Sequence, residues 1–267
     1  MQLPNRNFAE MSREEMAGAD TSRWIAVMPL AATEFHGPHL PPETDSIIAG
    51  AITSRLAAEI DNAIPLTFLP VERVGYSPEH LGHPATLSLE YHVAIDRWIA
   101  TGLSLGEKGI RKLVLLNAHG GNSPLMSIVA TELRLRAGML CVTTSWTRFG
   151  TPNNLIPPEE VAWGIHGGEV ETSVMLAIAP DQVKMERAEN FSGLQKELAQ
   201  RYRYLSAYGR HAFGWKMTDL NPRGAVGNAA AATAQKGEAL LRHAVAGLIQ
   251  LIREIDDFDL ALLRTDR

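Results

Sequence analysis

A three-layer α/β/α sandwich with a mostly parallel sheet is the fold class this sequence predicts. Short apolar runs alternate with longer stretches of helical apolar spacing through most of the chain. Long helices between short strands imply parallel pairing and a sheet covered on both faces. Polar, histidine-bearing segments fall mainly just after the apolar runs, where an open α/β sheet has its ligand crevice. No Gly/Ser linker, composition shift or repeat divides the chain, so one domain over residues 1–267 is expected.

The elements follow in order. "RWIAVMPL" reads as a buried strand ending at Leu30, and "SIIAGAITSRLAAEI" (Ser46–Ile60) as a helix capped by Asp45 or Ser46. "IPLTFLPVERV" (Ile64–Val74) is a second strand, and a long helix runs from about Ser88 to Gly106. "KLVLLNA" (Lys112–Ala118) is a third strand. The helix after it has Pro124 in its first turn and Gly138 at its end. "MLCVTTSW" is a fourth strand, Thr147–Pro158 a long loop, and Glu169–Ala179 a short helix. An amphipathic stretch from Ser192 and a long C-terminal helix from about Asn228 complete the chain.

Composition narrows the function classes. A formal net charge of -5 gives no basic footprint, so nucleic acid is not an expected partner. The single cysteine, Cys141, excludes an internal disulfide framework and a cysteine-based zinc site. No apolar run approaches the roughly 20 residues of a membrane helix, and no signal peptide is visible. A cytoplasmic protein with a small-molecule substrate and no membrane partner is the expectation.

Four segments carry candidate chemistry. In "TEFHGPHLPPETD" (Thr33–Asp45), Glu34 and His36 project to the same side if the backbone is extended, and Asp45 follows at a helix start. With no competing cysteines, this set suits Zn²⁺, Mn²⁺ or Fe²⁺. The stretch reads equally as a polar loop with a capping Asp45, and His39 as a neighbour of the site or a plain loop residue. In "NAHGGN" (Asn117–Asn122), His119 ends a strand and is placed to ligate a metal. The N–H groups of Gly120 and Gly121 are placed for an oxyanion. The plain alternative is a turn that needs glycine. No Gly-Lys-Ser/Thr or G-x-G-x-x-G pattern supports a nucleotide. In "GIHGGEVETS" (Gly164–Ser173), Glu169 and Glu171 are two apart and so on different faces of a helix. Glu169, nearer the glycine turn, is the expected site carboxylate, and Glu171 an acid at a helix start. "GYSPEHLGHPATL" (Gly75–Leu87) offers Ser77 and His80 as substrate contacts or as parts of a turn. His92, His211 and His243 read as structural or surface residues.

Taken together and in this order, these four segments, with "GAVGNAAAATAQKGE" near the C-terminus, resemble the creatininase (creatinine amidohydrolase) family over roughly the whole chain. The resemblance implies a creatininase-like α/β/α sandwich, one or two divalent ions (Zn, Mn or Fe) and a homo-oligomer, specifically a hexamer. Its metal ligands map to Glu34, His36, Asp45 and His119, with Asp45 bridging and Glu169 as ligand or base. The chain departs from true creatininases at Gly121, where they carry a glutamate, so a Gly-Gly branch is indicated.

The implied reaction is metal-dependent hydrolysis of an amide C–N bond other than an ordinary peptide bond, cyclic or formyl. Glu169 would take a proton from water, and His166 would protonate the leaving nitrogen. Ser77, His80, Gly120 and Gly121 would contact substrate. Hydrolysis of a C–C bond in a cyclic keto-sugar, peptide processing, and a catalytically inactive metal- or ligand-binding protein are the alternatives.

Overall fold

The computed structural model describes residues 3–263. After a short helix α1 (Arg13–Ala17), the chain runs β1 (Ile25–Leu30), α2 (Thr44–Glu59), β2 (Leu66–Phe68), α3 (Tyr91–Glu107), β3 (Lys112–Asn117), α4 (Ser123–Ala137) and β4 (Leu140–Ser145). It continues through α5 (Pro158–Trp163), α6 (Glu169–Ile178), β5 (Asn190–Phe191), α7 (Leu194–Arg201), α8 (Met217–Leu220), β6 (Gly227–Asn228) and α9 (Ala234–Asp257). The main sheet has the order β2-β1-β3-β4, and every pairing in it is parallel.

Side-chain alternation divides the core into two layers. From β1 and β3, Ile25, Val27, Val114 and Leu116 pack on one side with residues of α2, α6 and α9, among them Ile48, Val174 and Leu248. Ala26, Met28, Leu113 and Leu115 pack on the other with α3 and α4, against Trp98, Val129 and Leu133. This is the expected sandwich.

Local boundaries differ where proline and capping intervene. The expected strand Ile64–Val74 is reduced to three residues. Beyond Pro70, which has no N–H to give, only isolated bonds continue the pairing, such as Glu72 N–H to Pro29 O at 2.9 Å. Within the expected loop Thr147–Pro158, Trp146–Phe149 forms a single 3-10 turn, and Pro158 opens α5 as its first residue. The C-terminal helix begins at Ala234 because the Thr233 side chain accepts the Lys236 N–H. Asp45 is not a cap. It lies inside the first turn of α2, whose N-cap Glu43 makes no side-chain cap bond.

The sheet order sets the position of the site. From β1 the chain crosses by α2 to β2 on one side, and from β3 by α4 to β4 on the other. Neighbouring β1 and β3 therefore form a topological switch point, with a crevice beyond their carboxyl ends.

Candidate metal centre

Glu34 lies at the centre of this crevice. Its backbone N–H donates to Pro42 O at 2.9 Å, pinning the proline-rich loop so that Asp45 returns to the carboxylate. Ser77 Oγ donates to Glu34 Oε2 at 2.5 Å. Four imidazoles surround the carboxylate. His119 Nδ1 lies 3.0 Å from Oε2, and His166 Nδ1, His80 Nε2 and His36 Nε2 lie 3.6, 3.7 and 3.9 Å from Oε1. Asp45 Oδ1 is 3.2 Å from His36 Nε2, and its Oδ2 is 3.5 Å from His119 Nδ1.

Ring orientation is set from behind. His119 Nε2 lies 2.9 Å from Tyr76 O, which only accepts, so Nε2 carries a proton and Nδ1 is the nitrogen turned to the cluster. His166 is held likewise, with Nε2 at 2.8 Å from Phe35 O. Asn122 secures the turn after β3. It donates to Ala31 O at 3.1 Å and accepts the Tyr76 N–H at 2.9 Å.

All of these side chains are buried, and the charges feel it. Burial opposes protonation of His36 and His119, yet the surrounding carboxylates together outweigh it, Asp45 foremost for the first and Glu34 for the second, raising them to about 9 and about 10. Burial raises Asp45 to about 6. Burial also works against the Glu34 anion, but the charge and hydrogen bond of His119 hold it well below the usual carboxylate range. His80 is lowered to about 2 and His166 is lowered too, in both by burial and then by a neighbouring histidine, so both are neutral. His36 Nε2 and Asp45 Oδ2 have no hydrogen-bond partner although buried. Buried carboxylates and imidazoles with ligand atoms crowded together, two of them without a hydrogen bond, are what a divalent ion requires. The triads Glu34–Asp45–His119, Glu34–His36–His166 and His36–Asp45–Glu171 each bring their ligand atoms within 4.8 Å of one another. The residues present therefore fit a metal ion.

Among the expected site residues, the structure brings together Glu34, His36, Asp45, His119, His166, His80 and Ser77, with Gly120 and Gly121 in the 3-10 turn that follows His119. Glu169 stands apart. It is buried, but its Oε1 is paired with Lys236 Nζ from α9, and it belongs to none of the metal-competent groups among the described residues. Glu171, two residues on, faces the cluster with its Oε2 accepting the Gly167 N–H at 2.6 Å. The spacing did place the two acids on different faces of α6. The side facing the site is set by Lys236, which nothing near Glu169 in sequence reveals. His39 lies behind the site, with Nε2 2.9 Å from Thr172 Oγ1. Glu79, passed over in the sequence, is half-buried with Oε1 3.6 Å from His119 Nε2, and burial raises its carboxyl.

Two cavities flank the cluster. One, about 270 Å³, is lined by Trp146, His166, Glu171 and Tyr208. The other, about 390 Å³, is lined by Phe35, Glu79, His80, His83 and Met217. The His80 and His166 rings, 4.4 Å apart, stand between them.

Comparison with known proteins identifies the family. The family described as creatininase, creatinine amidohydrolase, matches residues 9–252. The chain is 27% identical over 246 residues to a mycofactocin precursor peptide peptidase of Mycolicibacterium smegmatis, covering 88% of this chain and 90% of that protein. It is 25% identical over 246 residues to the 3-dehydro-scyllo-inosose hydrolase of Thermotoga maritima, covering 86% and 77%. A solved structure described as "Creatininase Mn" superposes with a TM-score of 0.76 at 25% identity, covering 95% of this chain and 99% of that one.

Proposed function

The chain belongs to the creatininase family, and from that premise we propose that it is a divalent-metal-dependent hydrolase cleaving an amide C–N bond, cyclic or formyl, in a small molecule. One observation carries the reading: buried Glu34, His36, Asp45 and His119 converge from the ends of β1 and β3, with His36 Nε2 and Asp45 Oδ2 lacking a hydrogen bond. These four and Glu171 would hold the ion, with Glu171 in the role expected of Glu169. A divalent ion held there would lower the pKa of water towards neutrality and polarise a carbonyl.

The protein's own groups then divide the work. His166 is neutral, and Phe35 O fixes its proton on Nε2, so Nδ1 is free to accept a proton from the attacking water. The same nitrogen can afterwards deliver that proton to the leaving nitrogen. Ser77 orients Glu34, and Tyr76 O orients His119. The backbone of Gly120 and Gly121 is assigned to the substrate oxyanion, and His80 to a substrate contact in the larger cavity. A single catalytic domain in a hexameric assembly completes the proposal, and light scattering would count the subunits.

Metal analysis after mild purification tests the reading. The expected result is one or two ions per chain and amide turnover abolished by chelator. Absence of stoichiometric metal overturns it, and chelator-sensitive turnover dismisses an inactive binding protein. The similarity to the Thermotoga hydrolase supports a second reading, attack on a ketone with C–C cleavage. Products separate the two, because amide cleavage releases an amine.

A further inference from the structure

Glu160, on α5, is a buried carboxylate that the cluster does not use. It is 8% exposed and belongs to none of the metal-competent groups among the described residues. Its neighbour Glu159 pairs with Lys196, while no lysine or arginine among the described residues pairs with Glu160. Both of its oxygens are committed to backbone instead. Oε1 accepts the Glu169 N–H and Oε2 the Asn228 N–H, each at 2.8 Å. A carboxylate taken this far from water is stable where fixed donors replace that water. Three glycines leave the room for it: a Cβ at Gly164, Gly168 or Gly227 would fall within 2.5 Å of Oε1. At Gly227 that Cβ would also lie 2.7 Å from Gly168 Cα, and the φ of +141° disfavours any side chain.

The two N–H groups flank the segment that brings His166 and Glu171 to the site. Gly168, the N-cap of α6, has no side chain to cap the helix, and Glu160 supplies the acceptor for its first N–H. Glu171 stands in that same first turn, and His166 lies two residues before the cap. Asn228 lies two residues after Val226, which exchanges both backbone hydrogen bonds with His166. The His166 N–H donates to Val226 O at 3.2 Å, and the Val226 N–H to His166 O at 2.7 Å. One side chain from α5 therefore joins the start of α6 to the strand beside His166. The ends of β1 and β3 have their own fixings in Ser77, Tyr76 and Asn122. Between His166 and Glu171 the chain has Gly167 and Gly168, so this segment depends most on a brace from outside.

We propose that Glu160 is a positioning residue: by capping α6 and tying it to Asn228, it holds His166 and Glu171 in place against Glu34, His36 and Asp45. It touches neither ion nor substrate. Supporting groups of this kind keep site atoms within about 0.5 Å of their working geometry. The role rests on the hydrolase reading for what the centre does, but its signature lies in ligand geometry and not in turnover.

Cobalt-loaded protein reads that geometry directly, because Co²⁺ absorption bands follow the number and arrangement of ligand atoms. Wild type, Glu160→Gln, Glu160→Asp and Glu171→Ala are compared at saturating Co²⁺, below their melting temperatures, and Mn²⁺ affinity is measured by electron paramagnetic resonance. In Glu160→Gln an amide N–H₂ meets a backbone N–H, so one of the two bonds is lost at nearly unchanged size. In Glu160→Asp the stem is one carbon too short to keep both. The Co²⁺ bands of both variants should move from the wild-type position towards those of Glu171→Ala, and Mn²⁺ affinity should fall about tenfold. Wild-type bands and wild-type Mn²⁺ affinity in either variant overturn the proposal, whatever its melting temperature, and leave Glu160 a purely structural residue. If one variant does not fold, the other decides by the same criterion. If wild type binds neither ion, the hydrolase reading fails and the proposal falls with it; if wild type binds both and the variants match it, the proposal alone fails.

Discussion

Glu169 and Glu171 sit two residues apart in the first turn of one helix, yet they belong to different regions with different electrostatics. Glu169 is enclosed with its own cation, Lys236 from α9, and its backbone N–H is taken by Glu160 Oε1 at 2.8 Å. Glu171 faces a chamber of carboxylates and histidines that no lysine or arginine among the described residues pairs with. The first region is neutralised by the chain; the second needs an ion from outside. A buried acid therefore becomes evidence for a metal only when the surrounding protein leaves its charge unmatched.

The largest test of this contrast removes a cluster ligand. His119→Ala should abolish stoichiometric metal and lower hydrolysis by more than the roughly 100-fold that marks the upper range for changes behind a metal ligand. Metal analysis with steady-state rates measures both. A variant that keeps its metal and its rate would show that the crevice binds no ion through His119.

The paired test comes next in size. Glu171→Ala should weaken metal affinity by at least about tenfold with little change in folding. Glu169→Ala should leave metal content unchanged while costing about 1–3 kcal/mol of stability in denaturant titration. That is less than for a fully buried pair, because Lys236 retains access to water at 27% exposure. If Glu169→Ala were the variant that lost metal, the division between the two regions would be wrong.

Acidity sharpens the comparison further. His36 and His119 are raised in the folded protein, so the stability they contribute is fully present below the unfolded value of 6.5 and is lost as pH rises through about 9 and about 10. Metal-free protein should accordingly melt at lower temperature as pH increases from about 6.5 to 9. Saturating Mn²⁺ should reverse that slope, because the ion requires neutral imidazoles and binds better as they lose protons. Parallel melting curves with and without Mn²⁺ across this range would rule out these two histidines as ligands.

The sequence disclosed the site where chemistry depends on local placement. β1 and β3 are wholly buried runs, so Glu34, His36 and His119 had to emerge beyond their carboxyl ends. Asp45 was legible as an acid at a helix start, though it stands inside the turn, where no cap bond consumes it. What stayed hidden depends on partners distant in sequence. Glu169 is diverted by a lysine 67 residues along, and Glu79 approaches His119 from another loop, beside Gly121, where a Cβ would lie 2.8 Å from its Oε1. β2 was overread because apolar residues continue past Pro70 while ladder bonding does not. The paired β5 and β6, two residues each, are too short for any periodicity to mark them.

A third carboxylate sets the lower bound. Arg55 and Glu238 join α2 to α9 through two hydrogen bonds, at 2.8 and 2.6 Å, but the Glu238 side chain is 43% exposed. Water already stabilises both charges there, so the pair has little desolvation to recover, despite good geometry. Arg55→Met should change stability by at most about 1 kcal/mol, and less as salt rises. Metal content should stay at the wild-type value, since neither residue approaches the crevice. Scanning calorimetry at low and high salt distinguishes this from the Glu169 case, where the loss should persist in salt because the carboxylate is only 1% exposed. A salt-independent loss at Arg55 as large as that at Glu169 would show that burial does not separate the two regions.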